Sequence, residues 1–569
     1  MQIFKKIIST ILVLTMVFSL TACSGIKNKK FGVSFDLKQE PKNLDPQASA
    51  DNASLIIINN TMEGLLALDN NGKIQKATAS SYEMSPDKLT YTFTINKDAK
   101  WANGEKVTAK DFLFTFQRLL LKTTNSPYSK LFFCIKNAKL AFDNPEKMSQ
   151  LGVTAPSNDK LIINLSSPSD NFLKLLTMPC AVACNQKYFE STRGKYGLEA
   201  NTTIANGAFT VDSWQHKKSI RLTKNDEYYA KKDVKVSFVS LFIDTTIRKI
   251  NQSQPTSSST SSKPNKNEEP LQDNTADRLT DGDTLSAMID GFNDNQLDEK
   301  NFKKYEVKNS TWGIAFNFNN KLIANTNLRN AIALAFDKKS YESKLNKNLS
   351  VANAIVPPGV MTKISDNKSY RNYAGENLTK MYNPQKAYTT FQQAISQLKT
   401  DKIIKKNQIG GLNLIVPKIP NVDLAEHFLY PSQILQRDLG IFINVKVLSQ
   451  NDYQSALKAG DYDCAIVDLV ASDNTPRSVL SQFKTGSKQN FYGYSNVNVD
   501  KMLENADMQT SESEIMKTFS NIEKLLIDET VFIPMYYKTD YFVTSSIIDK
   551  LEYSKFTGLI SFKNAVKVK

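Results

Sequence analysis

Histidine is scarce in this chain of 569 residues: His216 and His427 are the only two. Neither sits in a Cys/His cluster with ligand spacing, which argues against a zinc or transition-metal centre, and no cofactor is expected. Cysteine is sparse as well, with five in all. Setting aside Cys23 near the amino terminus, Cys134, Cys180, Cys184 and Cys464 remain. An even remainder permits disulfides without showing them. Cys180 and Cys184 are close enough in sequence for one helical turn to bring them together, while buried free thiols are the commoner state. Beyond the first two dozen residues no stretch approaches the ~20 uninterrupted apolar residues of a membrane helix. Basic runs interleaved with stacking aromatics are missing too. The formal charge of +15 is carried instead by Lys-rich stretches such as Lys402-Ile403-Ile404-Lys405-Lys406. These read as solvated faces, so no nucleic-acid partner is expected; the alternative is a salt-sensitive attraction to anionic lipids or wall polymers.

What is present is ample material for cores: 41% hydrophobic and 10% aromatic residues. At roughly 150 residues per domain the length corresponds to three or four units. At the amino terminus Lys5 and Lys6 precede an almost wholly apolar run from Ile7 to Leu20, followed by the small pair Thr21-Ala22 and then Cys23. Basic, apolar, then small residues is the order of an export signal, and the run is too short for a spanning helix. It resembles the lipobox of bacterial lipoproteins. That implies a signal peptide over 1–22, a lipidated Cys23, and a polar tether over 23–30. Burial of acyl methylenes at roughly 0.8 kcal/mol each would hold the protein at a membrane surface. A plain secretory leader with a chance cysteine is the alternative; either way the bulk of the protein is expected outside the cytoplasm.

Strand-like and helical runs then alternate irregularly, as in a mixed α/β protein. Residues 89–95 alternate apolar and hydroxyl side chains, predicting a half-buried strand. Asn103-Gly104 marks a turn. From Thr108, a predicted N-cap, residues Ala109, Phe112, Leu113, Phe116, Leu119 and Leu120 fall on one helical face. Further strands are predicted at 161–165, 220–222, 312–318, 412–416, 442–448, 462–470 and 531–537. Helices are predicted at 285–292, 327–336, 425–437, 453–458 and 512–527. Residues 251–283 hold a hydroxyl-rich run and no aromatic side chain, which predicts a disordered insertion. No internal repeat is visible.

Several segments, in order, carry a likeness. They are Pro41-Lys42-Asn43-Leu44-Asp45-Pro46, Glu63-Gly64-Leu65-Leu66, and the long block from Leu89 through Ala99-Lys100-Trp101-Ala102-Asn103-Gly104 to Asp111-Phe112. They continue with Asn206-Gly207-Ala208-Phe209 and Trp214, Leu328-Arg329-Asn330-Ala331, Val356-Pro357-Pro358-Gly359, Gly460-Asp461-Tyr462-Asp463 and Ile533-Pro534-Met535-Tyr536-Tyr537. On these residues, from about Ser34 to Tyr541, the chain resembles the oligopeptide/dipeptide-binding lipoproteins of bacterial ATP-driven (ABC) importers, extracellular solute-binding proteins of family 5. Most motif residues are scaffold: Trp101 and Phe112 are expected to fill a core, and Gly104 and Gly207 to serve turns.

The resemblance implies an α/β, two-lobed periplasmic-binding-protein-like clamshell of type II with an extra subdomain on the first lobe. Its first lobe would comprise 31–75, 201–310 and 531–569, the extra subdomain 76–200, and the second lobe 311–530. Hinge closure would engulf the ligand. An extended peptide would be held by strand-like backbone bonds, its side chains in wet pockets and its α-ammonium by a carboxylate. The expected contacts are Asp51, Asn52, Trp312, Phe316, Leu469, Ser472, Asp473 and Asn474. Here the chain departs from the family's pattern. After Gly460-Asp461-Tyr462-Asp463, Leu469 takes the place of an aromatic residue and Ser472 that of the anchoring aspartate, with Asp473 one position along. A one-residue slip in an extended segment reverses side-chain direction.

The protein is thus expected to be a monomeric, lipid-anchored, non-catalytic receptor on the outer face of the cell membrane, passing peptides to ABC permease subunits. The rival readings are a receptor for a signalling peptide on the same fold, or a binder of a non-peptide solute such as a sugar, metal chelate or cell-wall peptide. A more remote rival is a penicillin-interacting serine enzyme. Ser455-Ala456-Leu457-Lys458, Ser472-Asp473-Asn474 and Lys484-Thr485-Gly486 match the S-x-x-K, S-D-N and K-T-G motifs of those enzymes, but barely a dozen residues separate the last two.

Overall fold

Alternation at Thr90–Ile95 produces a strand whose Tyr91, Phe93 and Ile95 are buried. It lies inside a four-stranded antiparallel sheet, ordered Ala79–Met84, Thr90–Ile95, Lys160–Asn164, Val153–Thr154. The helix Ala109–Leu120 covers this sheet with Phe112, Phe116 and Leu119. Its start is fixed by Asp111, whose carboxylate accepts both the Thr108 N–H at 2.7 Å and the Thr108 hydroxyl at 3.0 Å. Trp101 and Phe112 are fully buried in the shared core. Gly104 adopts φ +86° in the turn between them, where a side chain would be strained. The computed structural model describes residues 30–69, 72–244, 275–292, 297–343, 345–363, 368–419, 422–472, 475–555 and 557–568. The expected leader, Cys23 and all but the last residue of the tether lie outside these.

A second, eleven-stranded sheet organises the rest. One end is built from Gly32–Asp36 paired in parallel with Phe238–Phe242, followed by the antiparallel strands Ser219–Lys224 and Phe209–Gln215. The other end is built from Ile443–Leu448, Leu412–Pro417 and Cys464–Val470, mutually parallel. Two long antiparallel strands, Phe302–Phe316 and Phe532–Ser545, run through the middle and join the halves. The expected lobe boundary at 310/311 therefore falls inside a continuous strand, close to a register shift between Val307 and Ser310. Separate cores form on the two halves. Val33, Phe35, Val239 and Phe562 pack in the first. The second half has a core on each face, one around Phe316, Leu414 and Ile466, the other around Val467, Leu469 and Phe532.

The structure corrects two expectations. Residues 285–292 are not a helix: Ser286–Ile289 is a strand between Gly32–Asp36 and Phe532–Ser545. Apolar residues lie on both its faces, Ala287 and Ile289 in one cluster and Met288 against another, and this removes the alternation that marks a strand. The insertion expected over 251–283 is narrower at its carboxyl end. Residues 251–274 lie outside the described residues, but Thr275–Thr280 is a helix and its Arg278 is buried. The Arg278 Nε and Nη2 donate to the two carboxylate oxygens of Asp36, each at 2.9 Å. Cys180 and Cys184 are buried and not bridged, the commoner of the two states read from the sequence. The turn Pro179–Ala181 gives way to extended backbone at Val182, so no helical turn brings the thiols together. Cys184 Sγ instead accepts from Arg118 Nη1 at 3.6 Å.

Candidate functional site

The parallel strands Leu412–Pro417, Ile443–Leu448 and Cys464–Val470 end on one side of the sheet. In α/β sheets, crevices form beyond the carboxyl ends of such strands. A cavity of about 820 Å³ lies there. Its walls come from Lys418 and Ile419 at one strand end, from Ser449 to Leu457 on the following helix, from Trp312 on the joining strand, and from Phe491 and Tyr492. Ser449 caps the helix Gln450–Ala459, accepting the Asp452 N–H at 3.2 Å, and so fixes the direction of that wall.

The pleat of Cys464–Val470 decides which residues face which side. Cys464 and Ile466 enter one core, while Ala465, Val467 and Leu469 enter the other. Asp468 falls on the Cys464/Ile466 side and lines the cavity. Its cross-strand partner is Trp312, and the Ser310 hydroxyl donates to its carboxylate. Beside it lies a compact charge cluster, of which Asp290 also lines the cavity. Lys538 Nζ is 3.1 Å from Asp290 Oδ1 and 3.1 Å from Asp540 Oδ1. Asp290 also accepts the Phe292 N–H at 2.9 Å, and Asp540 the Gly291 N–H at 2.8 Å. The Lys538 ammonium stands 5.0 Å from the Phe292 ring centroid and 5.8 Å from that of Trp312.

Burial works against the charge on Lys538, yet Asp540, Asp290 and Asp468 together hold its ammonium above the ordinary lysine range. Burial pushes the Asp468 carboxyl up to about 7, against the pull of Lys538 and the Ser310 hydroxyl. Burial also raises Asp540, offset by Lys538. Of the two carboxylates that line the cavity, Asp290 is paired with Lys538, which Asp540 also holds, whereas the sole hydrogen-bond donor to Asp468 among the described residues is a hydroxyl.

Of the contacts expected from the sequence, Trp312 lines this cavity. Phe316 does not: it lies two pleats further along the strand and is fully buried in the core. Leu469 is likewise fully buried, because the pleat turns it away from Asp468. Asp51 caps the helix Asn52–Thr61, its Oδ1 accepting the Ser54 N–H at 3.0 Å and its Oδ2 the Ser54 hydroxyl at 2.8 Å. Asn52 is exposed at the start of that helix, and neither residue lines the cavity. Ser472 is exposed; Asp473 and Asn474 lie outside the described residues. Thr475 and Pro476, just beyond them, line a second cavity of about 170 Å³ between Leu55, Met178 and Phe519.

Asp468, Ser310, Asp290, Lys538 and Asp540 were not singled out from the sequence. A signal existed: an aspartate inside the otherwise apolar run Cys464-Ala465-Ile466-Val467-Asp468-Leu469-Val470 is a charge in a central strand, which needs a reason. The serine-enzyme motifs do not assemble. The Ser455 hydroxyl donates back to the Asn451 carbonyl at 2.8 Å on its own helix. Lys484-Thr485-Gly486 lies in a turn rather than on a strand, with Lys484 3.1 Å from Glu504.

Comparison with known proteins gives a consistent picture. The sequence model described as "Bacterial extracellular solute-binding proteins, family 5 Middle" matches residues 73–491. The dipeptide-binding protein DppE of Bacillus subtilis (strain 168) is 26% identical over 509 residues, covering 88% of this chain and 85% of that protein. The oligopeptide-binding protein OppA of the same organism is 24% identical over 573 residues, covering 98% of each. Among solved structures, the substrate-binding domain of an oligopeptide ABC transporter from Bacillus anthracis str. Ames superposes with a TM-score of 0.71 at 25% identity, covering 95% of this chain and 100% of that one.

Proposed function

The chain belongs to the bacterial extracellular solute-binding proteins of family 5, and from that premise we propose that it captures peptides and delivers them, chemically unaltered, to the permease of an ABC importer. The fold is the two-lobed α/β clamshell of these proteins. The observation that carries the reading is the 820 Å³ cavity at the carboxyl ends of the parallel strands, against Trp312 on one of the two strands that join the halves. A site of that size beside a hinge suits a small guest enclosed by closure, since pockets of ~300–1,000 Å³ bury most of a small ligand. The dipeptide- and oligopeptide-binding names of the relatives support a peptide as that guest.

Anchoring through a lipid on Cys23, action as a monomer at the extracytoplasmic membrane face, and the lack of any turnover belong to the same proposal. Trp312 is assigned to the pocket wall, and Ser472, Asp473 and Asn474 to ligand contact. Phe316 and Leu469 are assigned to supporting packing, and Asp51 to capping its helix. The test is mass spectrometry of small molecules released from the purified protein, followed by calorimetry with synthetic peptides of the masses found. Recovery of intact peptides with saturable one-to-one binding is the expected result. Release of cleaved products, or a non-peptide cargo with no peptide affinity, overturns it.

A further inference from the structure

Asp468 is held in a costly position. Its carboxylate lies in the cavity wall with the Ser310 hydroxyl as its one donor among the described residues. The lysine nearest to it, Lys538, is within 3.1 Å of Asp290 and within 3.1 Å of Asp540. Lys418 also lines the cavity, but it is exposed at the strand end. A desolvated carboxylate with no cation in direct contact is unfavourable unless something completes its pairing, and Lys538 acts on Asp468 only as a neighbouring charge. Beside it, on the directly opposed position of the next strand, Trp312 is only 6% exposed and its Nε1–H has no acceptor. An unmatched donor and an under-paired acceptor therefore stand side by side on the same wall of one cavity.

We propose, resting on the peptide-binding reading above, that Asp468 is a specificity residue that receives a positively charged nitrogen of the ligand, with Trp312 Nε1 donating to a carbonyl oxygen next to it. Directly opposed residues on paired strands have Cβ atoms about 4.5–5.5 Å apart, a spacing that one amino-acid unit of a ligand can span. The charged nitrogen comes from one of two sources, an α-ammonium or a Lys/Arg side chain. This assigns cation recognition to the strand itself rather than to position 472, where Ser472 stands in place of a carboxylate.

The proposal also fixes a pH dependence. Burial pushes the Asp468 carboxyl up to about 7. The groups facing it are Lys538 and Asp540 on one strand, Asp290, Tyr453 on the following helix, Tyr492, and Lys418 at the rim. A ligand cation favours the ionised form and lowers that value, so binding releases a proton below about pH 7. Affinity then rises from pH 5.5 to about 7; above that it stays level for a Lys or Arg side chain and falls for an α-ammonium, which loses its proton near pH 7.7–8.0.

The experiment uses the full chain and four pools of pentapeptides: free or acetylated amino ends, each with or without Lys and Arg. Binding is read by native mass spectrometry and then by calorimetry in buffers of different ionisation enthalpy. Retention of both free-amine pools and neither acetylated pool assigns the α-ammonium. Retention of both basic pools and neither of the others assigns the side chain. Asp468→Asn is expected to weaken the retained pools by roughly 30-fold or more, and Trp312→Phe by roughly 3- to 10-fold. Equal binding of all four pools, or a wild-type affinity unchanged between pH 5.5 and about 7, overturns the assignment to Asp468 while leaving peptide binding intact. No binding of any pool removes the peptide reading and this inference with it. The pH profile needs no variant, so a misfolded Asp468→Asn does not blunt the test.

Discussion

Replacing Arg278 by alanine removes the only described cation beside Asp36, a residue whose side chain is 0% exposed, while the guanidinium itself is 3% exposed. Both bonds of this pair are 2.9 Å long, and the guanidinium lies 5.1 Å from the centroid of the Phe242 ring. With so little solvent to screen or rehydrate it, Asp36 would be left as an uncompensated buried charge. Breaking such a pair typically costs about 3–5 kcal/mol. For a cooperative unit of 150–250 residues each kcal/mol is worth roughly 2–4 °C, so the melting transition should fall by about 6–20 °C. Differential scanning calorimetry of Arg278→Ala and of the double variant Asp36→Leu/Arg278→Met separates the causes. The double variant replaces the pair by apolar groups of similar size and should recover most of the loss, since such exchanges are often neutral. A drop of less than about 3 °C in Arg278→Ala, or a double variant no better than the single, would refute the reasoning and return 275–283 to the status of a dispensable tract.

Phe112→Ala should destabilise the protein by about 3–5 kcal/mol, because Phe112 is fully buried between the helix Ala109–Leu120 and its sheet; urea titration showing under 1 kcal/mol would contradict that packing. Cys134, Cys180, Cys184 and Cys464 should all be alkylated in guanidinium without reductant, and resist iodoacetamide in the native protein, since burial raises each thiol well above its ordinary value. A Cys180–Cys184 peptide short of two hydrogens would disprove it. His216 is held above the ordinary histidine value by Glu40, with Glu199 assisting. Its stabilising contribution is therefore full below pH 6.5 and is lost as pH rises through the higher folded value. Proton NMR should show the raised titration in the wild type and a lower one in Glu40→Gln.

Local signals predicted much of the fold. The Thr108 start followed by a one-sided apolar face gave a helix at Ala109–Leu120, and the hydroxyl/apolar alternation gave Thr90–Ile95. Both depend on residues within a few positions of each other. The strand Ser286–Ile289 was misread because its apolar residues serve two cores at once, and its partners, Gly32–Asp36 and Phe532–Ser545, are some 250 residues away in either direction. The Thr275–Thr280 helix was hidden for the same reason: what stabilises it is a carboxylate at Asp36. In the candidate site Trp312 was legible, but Leu469 was chosen over Asp468, its neighbour, on the strength of position alone.

By itself the sequence determined the family, through the order of many short motifs, and the class of fold that goes with it. It also determined the character of segments governed by neighbours in the chain, namely caps, turns and single-faced helices. Only the tertiary structure decided which side chains share a wall. In Cys464–Val470 the consecutive residues Ile466, Val467 and Asp468 all reach the cavity while Leu469 is buried in the core, so which of them meets it depends on how that strand sits against Phe302–Phe316 and the following helix. That pairing also places Ser310 and Trp312 against Asp468, with Lys538 beyond. It is set by contacts between residues about 150 positions apart, which no local pattern encodes.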